Sequence, residues 1–195
     1  MQYNEIVDLI LIGVLSVLPE IESVLKKAKR VHFIGIGGAG MCPLAEILFS
    51  LGYKVTGSDN NESETLERIR SQGIPVTLGQ RAENIIGADM IIFTAALLSD
   101  NPELCAANAS GIPTYERAKL FGELTRRYKN SICISGTHGK TTVTAMITQI
   151  MLGAGLSPSA VIGGKLPLTG TNGIVGNSEN MVCEACEFVD TFLEL

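Results

Sequence analysis

The chain has 195 residues, 46% of them hydrophobic and 18% charged, with a formal net charge of −5. That length holds one large domain, or one full domain and part of a second, and that composition excludes a wholly disordered chain. The acidic balance, without a basic stripe, argues against a nucleic-acid partner.

Five cysteines, Cys42, Cys105, Cys133, Cys183 and Cys186, are scattered and odd in number. They suit reduced thiols in a cytoplasm better than a disulfide framework. Cys183 and Cys186 have the spacing of a metal or redox pair, but a structural zinc site takes four ligands and no second pair is present. Near the N-terminus, Leu9–Leu18 is an apolar run. It is too short to span a bilayer and lacks the basic leader and cleavage site of a signal peptide. Residues 3–28 read as one or two helices packed on the protein or a partner, and residues 1–30 as a helical extension. No membrane partner is expected.

From residue 31 short apolar runs alternate with helical stretches. Val31–Ile34 reads as a strand and Gly35–Gly40 as a glycine loop. Met41, Leu44, Ala45 and Leu48 then recur at helical spacing, and Gly52 ends that helix. Tyr53–Gly57 reads as a second strand closing at Ser58-Asp59. Asn61 is the expected cap of the next helix, with Glu64 in the reciprocal position and Gly73 at its end. Ile74–Leu78 and Ala88–Thr94 follow as strands, the latter buried on both faces. Asn101-Pro102 opens another helix, Gly111 ends it, and Ile112-Pro113-Thr114 begins an edge-like strand. Residues 116–128 are helical, with Ala118, Phe121, Leu124 and Tyr128 facing inward.

At Lys129-Asn130 the cycle restarts: strand Ser131–Ser135, a second glycine loop, and a helix over Thr141–Ala154. This alternation predicts an α/β fold with a parallel sheet and helices on both sides. The expected division is a Rossmann-like domain over residues 31–129 and the start of a P-loop ATPase-type domain over residues 130–195.

Gly35-Ile36-Gly37-Gly38-Ala39-Gly40 satisfies G-x-G-x-x-G between a strand and a helix, where that motif cradles a diphosphate. The helix N-terminus presents N–H groups and partial positive charge to it. Asp59 closes the next strand, about 20 residues on, where an acid meets a ribose hydroxyl in dinucleotide sites. The loop reads only a diphosphate, so NAD, FAD and UDP-sugars all remain open.

Gly136-Thr137-His138-Gly139-Lys140-Thr141-Thr142 is a phosphate-binding loop shortened relative to the usual spacing. Lys140 would neutralise β- and γ-phosphates and the Thr141 hydroxyl would ligate Mg²⁺. Asn180–Glu184 is an apolar strand ending in a carboxylate, which places Glu184 as the second magnesium ligand, with Glu187 behind it. His138 either donates to phosphate or faces solvent, and His32 reads as a packed strand histidine.

His32–Met41 followed by Gly136–Thr142 resembles the Mur ligases, with supporting stretches at Gly57-Ser58-Asp59, Asp100–Glu103 and Glu184–Glu187. The match runs from about residue 31 to Leu195 and is nearest to members that join L-alanine to UDP-N-acetylmuramate. The resemblance implies that the first loop takes a UDP-sugar. It places Gly37, Gly38, Ala39, Gly40, Met41 and Asp59 in that site, lined also by Thr94, Ala95 and Ala96. It implies that Gly136–Thr142 hold ATP and that Lys140, Thr141 and Glu184 act with Mg²⁺. The implied reaction forms an acyl phosphate and then an amide, in peptidoglycan precursor synthesis in the cytoplasm.

Two departures from the family pattern stand out. Cys186 occupies a position where the family often has an acid, and the sequence stops at Leu195, short of the family's full length. The residues given are therefore expected to bind the sugar nucleotide without completing ligation, and either to self-associate through uncovered apolar faces or to be disordered after about residue 130. Two other readings are an NAD-binding domain of a dehydrogenase, which leaves Gly136–Thr142 idle, and a non-catalytic nucleotide-binding module.

Overall fold

The computed structural model describes residues 20–185. The Leu9–Leu18 run, Cys186 and Glu187 lie outside the described residues.

A short helix α1 (Ile21–Lys27) leads into β1 (Arg30–Ile34), the centre of the first sheet. Then come α2 (Cys42–Ser50), β2 (Lys54–Asp59), α3 (Glu64–Ser71) and β3 (Val76–Leu78). A 3₁₀ turn at Ala82–Ile85 precedes β4 (Met90–Phe93), α4 (Pro102–Ser110), β5 (Thr114–Glu116) and α5 (Arg117–Arg126). The strand order is β3-β2-β1-β4-β5, and every neighbouring pair is parallel. This is the doubly wound order, reversing beside β1, and it leaves a crevice beyond the carboxyl ends of β1 and β4.

Side-chain alternation along β1 explains the two helical layers. Val31 and Phe33 are fully buried in the cluster that holds Leu44 and Leu48 of α2 and Leu120 and Phe121 of α5. Ile34 faces the opposite layer, with Ile91, Leu104 and Ala107. Fully burying each such aliphatic side chain is worth about 1.5–3 kcal/mol relative to leaving it in water.

The second sheet contains β6 (Asn130–Ile134), β7 (Ser159–Val161), β8 (Gly173–Ile174) and β9 (Asn180–Glu184), with α6 (Lys140–Gly153) after β6. Its order is β6-β9-β7-β8. The β6–β9 and β7–β9 pairs are parallel, whereas β7–β8 is antiparallel, so the expected parallel sheet carries one reversed edge strand. The two sheets share apolar packing: Val161, Met181 and Cys183 join the cluster built around Leu44 and Phe121. Val143, Met146 and Ile150 of α6 and Ile132 of β6 are exposed.

One helix start differs from expectation. Ser63, not Asn61, caps α3: its hydroxyl accepts the Leu66 N–H at 3.3 Å. Asp59 Oδ1 accepts the Asn61 N–H at 3.3 Å, so Asn61 is held in the turn leaving β2. Asn101 and Gly111 behave as read, the first accepting the Glu103 and Leu104 amides and the second ending α4 in the left-handed conformation.

Candidate functional site

The first glycine loop crosses the carboxyl end of β1. The Ser58 carbonyl accepts the Gly35 and Ile36 amides at 2.8 and 3.0 Å, fastening the loop's start to β2. Met41 and Cys42 donate to the Gly38 carbonyl at 2.9 and 3.0 Å, closing the turn into α2. Asp59 Oδ2 accepts the Gly37 N–H at 2.9 Å. In this structure Asp59 thus braces the loop itself. Gly40 lies against the Arg117 side chain: a methyl group there would lie 2.8 Å from Nη1, at the movable end of that side chain.

The second loop leaves β6 and enters α6 through Gly139, which has a φ of 78° and caps the helix in a left-handed conformation favoured by glycine. Lys140 Nζ donates to the Gly136 carbonyl at 2.7 Å, so the lysine folds back over its own loop. Thr137, His138 and Thr142 are exposed around it. β9 lies directly beside β6, with Ile134 opposite Glu184. Adjacency puts the Glu184 carboxylate at the mouth of the loop, where Oε2 accepts the Thr141 hydroxyl at 3.1 Å. Glu184 Oε1 accepts the Gly163 N–H at 2.6 Å.

Between the first loop and the end of β9 lies a cleft of about 270 Å³, which no residue of Gly136–Thr142 lines. Gly38, Gly40, Thr94 and Arg117 line it from the first sheet, and Gly163 and Glu184 from the second. Glycine loop, cation and carboxylate therefore face one space. Ala95 and Ala96 are exposed in the turn after β4 and do not line the cleft. A larger groove of about 930 Å³, near Tyr53, Arg127 and Glu179, contains none of the candidate residues.

A family model described as the Mur ligase family, catalytic domain, covers residues 30–129. The chain belongs to the Mur ligase family. It is 49% identical over 168 residues to the UDP-N-acetylmuramate–L-alanine ligase of Acetivibrio thermocellus, covering 86% of this chain and 36% of that one. The enzyme of that name from Clostridium beijerinckii is 45% identical over 168 residues, with 86% and 37% covered. The chain thus spans little more than a third of the curated relatives it matches. Among solved structures, the UDP-N-acetylmuramate-alanine ligase of Thermotoga maritima superposes with a TM-score of 0.74 at 35% identity, covering 80% of this chain and 36% of that one. A UDP-N-acetylmuramate:L-alanyl-gamma-D-glutamyl-meso-diaminopimelate ligase from Neisseria meningitides gives 0.75 at 27% identity, with 82% and 53% covered.

Within this Mur ligase family member, Thr141 and Glu184 offer neighbouring hard oxygen donors. Such a pair fits Mg²⁺, which takes one or two protein oxygens and completes its shell with phosphate and water. Among the described residues no group of three or more His, Cys, Asp or Glu side chains gathers to replace it. Sequence reasoning missed Arg117 and Gly163. Arg117 follows β5 directly and so stands at the carboxyl edge of the sheet, a position that could have flagged it.

Proposed function

We propose that this chain binds UDP-N-acetylmuramate at the first glycine loop and MgATP at the second, for ATP-dependent addition of L-alanine to the sugar's carboxylate. Two modules meeting near residue 130 would each supply one cradle. The observation that carries this reading is the shared cleft, with Gly40 and Arg117 on one wall and Glu184 on the other. An NAD-binding domain would leave Lys140, Thr141 and Glu184 without a task.

The chemistry needs positioning and charge neutralisation more than covalent help. The α2 N-terminus and Arg117 orient the diphosphate and the carboxylate-bearing sugar. Lys140 exchanges its bond to the Gly136 carbonyl for phosphate oxygens. The carboxylate oxygen attacks the γ-phosphorus and ADP departs, leaving an acyl phosphate. The alanine amine then attacks the acyl carbon, phosphate leaves, and an amide remains. Bound magnesium, held through Thr141 and Glu184, would supply charge neutralisation at the transferring phosphoryl group. Apolar walls at Phe121, Val161 and Ile162 limit water around that group. No helix among the described residues is long and apolar enough to cross a membrane.

Calorimetry decides between the readings. Saturable heat from UDP-N-acetylmuramate and from MgATP, with none from NADH, supports the ligase. Saturation by NADH and not by the sugar nucleotide contradicts it.

A further inference from the structure

Residues 162–173 form a strap that joins the first glycine loop to Glu184 at the end of β9. The Ile162 N–H donates to the Asn172 carbonyl at 2.9 Å, and the Leu166 N–H to the Thr171 carbonyl at 2.7 Å. Gly170 and Thr169 donate back to the Leu166 carbonyl at 2.8 and 3.1 Å, and the Leu166 side chain is fully buried beneath them. At one side of this closed unit, Gly163 donates to Glu184. At the other, the Asn172 side-chain amide donates to the carbonyl of Ala39, in the middle of the first glycine loop. Gly173 packs so closely on Pro43 that a methyl group there would lie 2.7 Å from the proline ring. Asn172 itself is only 8% exposed.

We propose that Asn172 is a positioning residue that fixes the Ala39–Gly40 peptide of the sugar-nucleotide cradle and ties its orientation to Glu184. A trans peptide is planar, so its C=O and N–H point in opposite directions. Holding the Ala39 oxygen therefore aims the Gly40 N–H. Gly40 has no side chain to resist a flip of that plane, so the restraint must come from outside the loop. The path is short: Glu184 to Gly163, then Ile162 across to Asn172, then Ala39.

The ligand half of this inference rests on the proposed function, whereas the restraint on the loop does not. Both are tested on the whole 195-residue chain with Asn172→Ala and Asn172→Asp, the latter keeping the volume and losing the donor. In ¹⁵N-labelled protein without ligand, amide exchange at Gly38, Met41 and Cys42 should accelerate about fivefold to tenfold in both variants, the loss of one hydrogen bond. Exchange along β9 should stay unchanged. By calorimetry the UDP-N-acetylmuramate Kd should rise by a similar factor while the MgATP Kd stays constant. Unchanged loop exchange in both variants, or uniform acceleration through the chain, overturns the positioning role. A wild-type chain that binds no sugar nucleotide contradicts the proposed function, and the exchange comparison still decides the strap.

Discussion

One carboxylate oxygen of Glu103 lies 2.5 Å from His32 Nε2, with the two side chains 0% and 2% exposed. The other oxygen accepts the Ser58 hydroxyl at 2.7 Å and the Asn84 amide at 3.2 Å. His32 Nδ1 meets the Thr56 hydroxyl at 2.8 Å. A single buried acid at the start of α4 thus fastens β1, β2 and the 3₁₀ turn below the first glycine loop. Ser58 is the residue whose carbonyl holds the Gly35 and Ile36 amides. Glu103→Ala strands two buried polar partners, His32 and Ser58, and should cost about 2 kcal/mol or more, each unsatisfied group costing about 1–3 kcal/mol. Glu103→Gln keeps one acceptor and should cost less. Urea unfolding midpoints at constant slope give the comparison, and equal stability of both variants with the wild type contradicts it.

The thiols should divide by accessibility. Burial, with the Glu46 charge second, pushes the Cys42 thiol up to about 12, against the opposing Arg68 cation. Burial and the neighbouring Cys133 raise the Cys183 thiol as well. Cys105 is exposed. Brief iodoacetamide treatment of native protein near pH 8 should label Cys105 and spare Cys42 and Cys183, as read by peptide mass mapping. Labelling of Cys42 at the rate of Cys105 would show that α2 does not pack as described.

Acid should remove a defined contribution at the start of β1. Hydrogen bonds from the Arg30 and Lys29 amides, at 2.9 and 2.8 Å, hold the Asp89 carboxyl below its ordinary value of 3.8. A depressed folded value means the contribution is complete above the unfolded value and disappears as pH falls through the folded one. Asp89→Asn should therefore flatten the decline of Tm between about pH 5 and pH 2 while lowering Tm modestly at neutral pH. Parallel acid profiles for the two proteins would refute the assignment.

Lys140→Ala separates the cradles. Loss of a charge-assisted hydrogen bond, worth about 1.5–3 kcal/mol, should weaken MgATP binding by about tenfold to hundredfold. UDP-N-acetylmuramate affinity should not change. Equal weakening of both ligands in calorimetry would mean that the lysine serves the structure and not the triphosphate.

What the sequence reveals and conceals follows from the range of the interactions. Gly35–Gly40 and Gly136–Thr142 are local signals, because strand, turn and helix are contiguous and the turn chemistry must be written in the loop. Glu184 is legible for a related reason: an apolar strand ending in an acid has one place to go in a parallel sheet. Asn61 and Ser63 compete for the same cap, and the choice depends on Asp59 reaching the Asn61 amide, a contact set by the tertiary turn. β8 spans only Gly173–Ile174 and carries no periodicity to read. Asn172 and Ala39 are 133 positions apart, so no window of sequence contains both. Arg117 gains its meaning only when Gly40 is folded against it.

The most direct test is a crystal structure of this chain with UDP-N-acetylmuramate, a non-hydrolysable ATP analogue and Mg²⁺. The account predicts density in both loops, with the sugar carboxylate about 3–3.5 Å from the γ-phosphorus, in the cleft between Gly40 and Glu184. Two ligands bound far apart, or a sugar nucleotide seated away from Gly37–Met41, would contradict it.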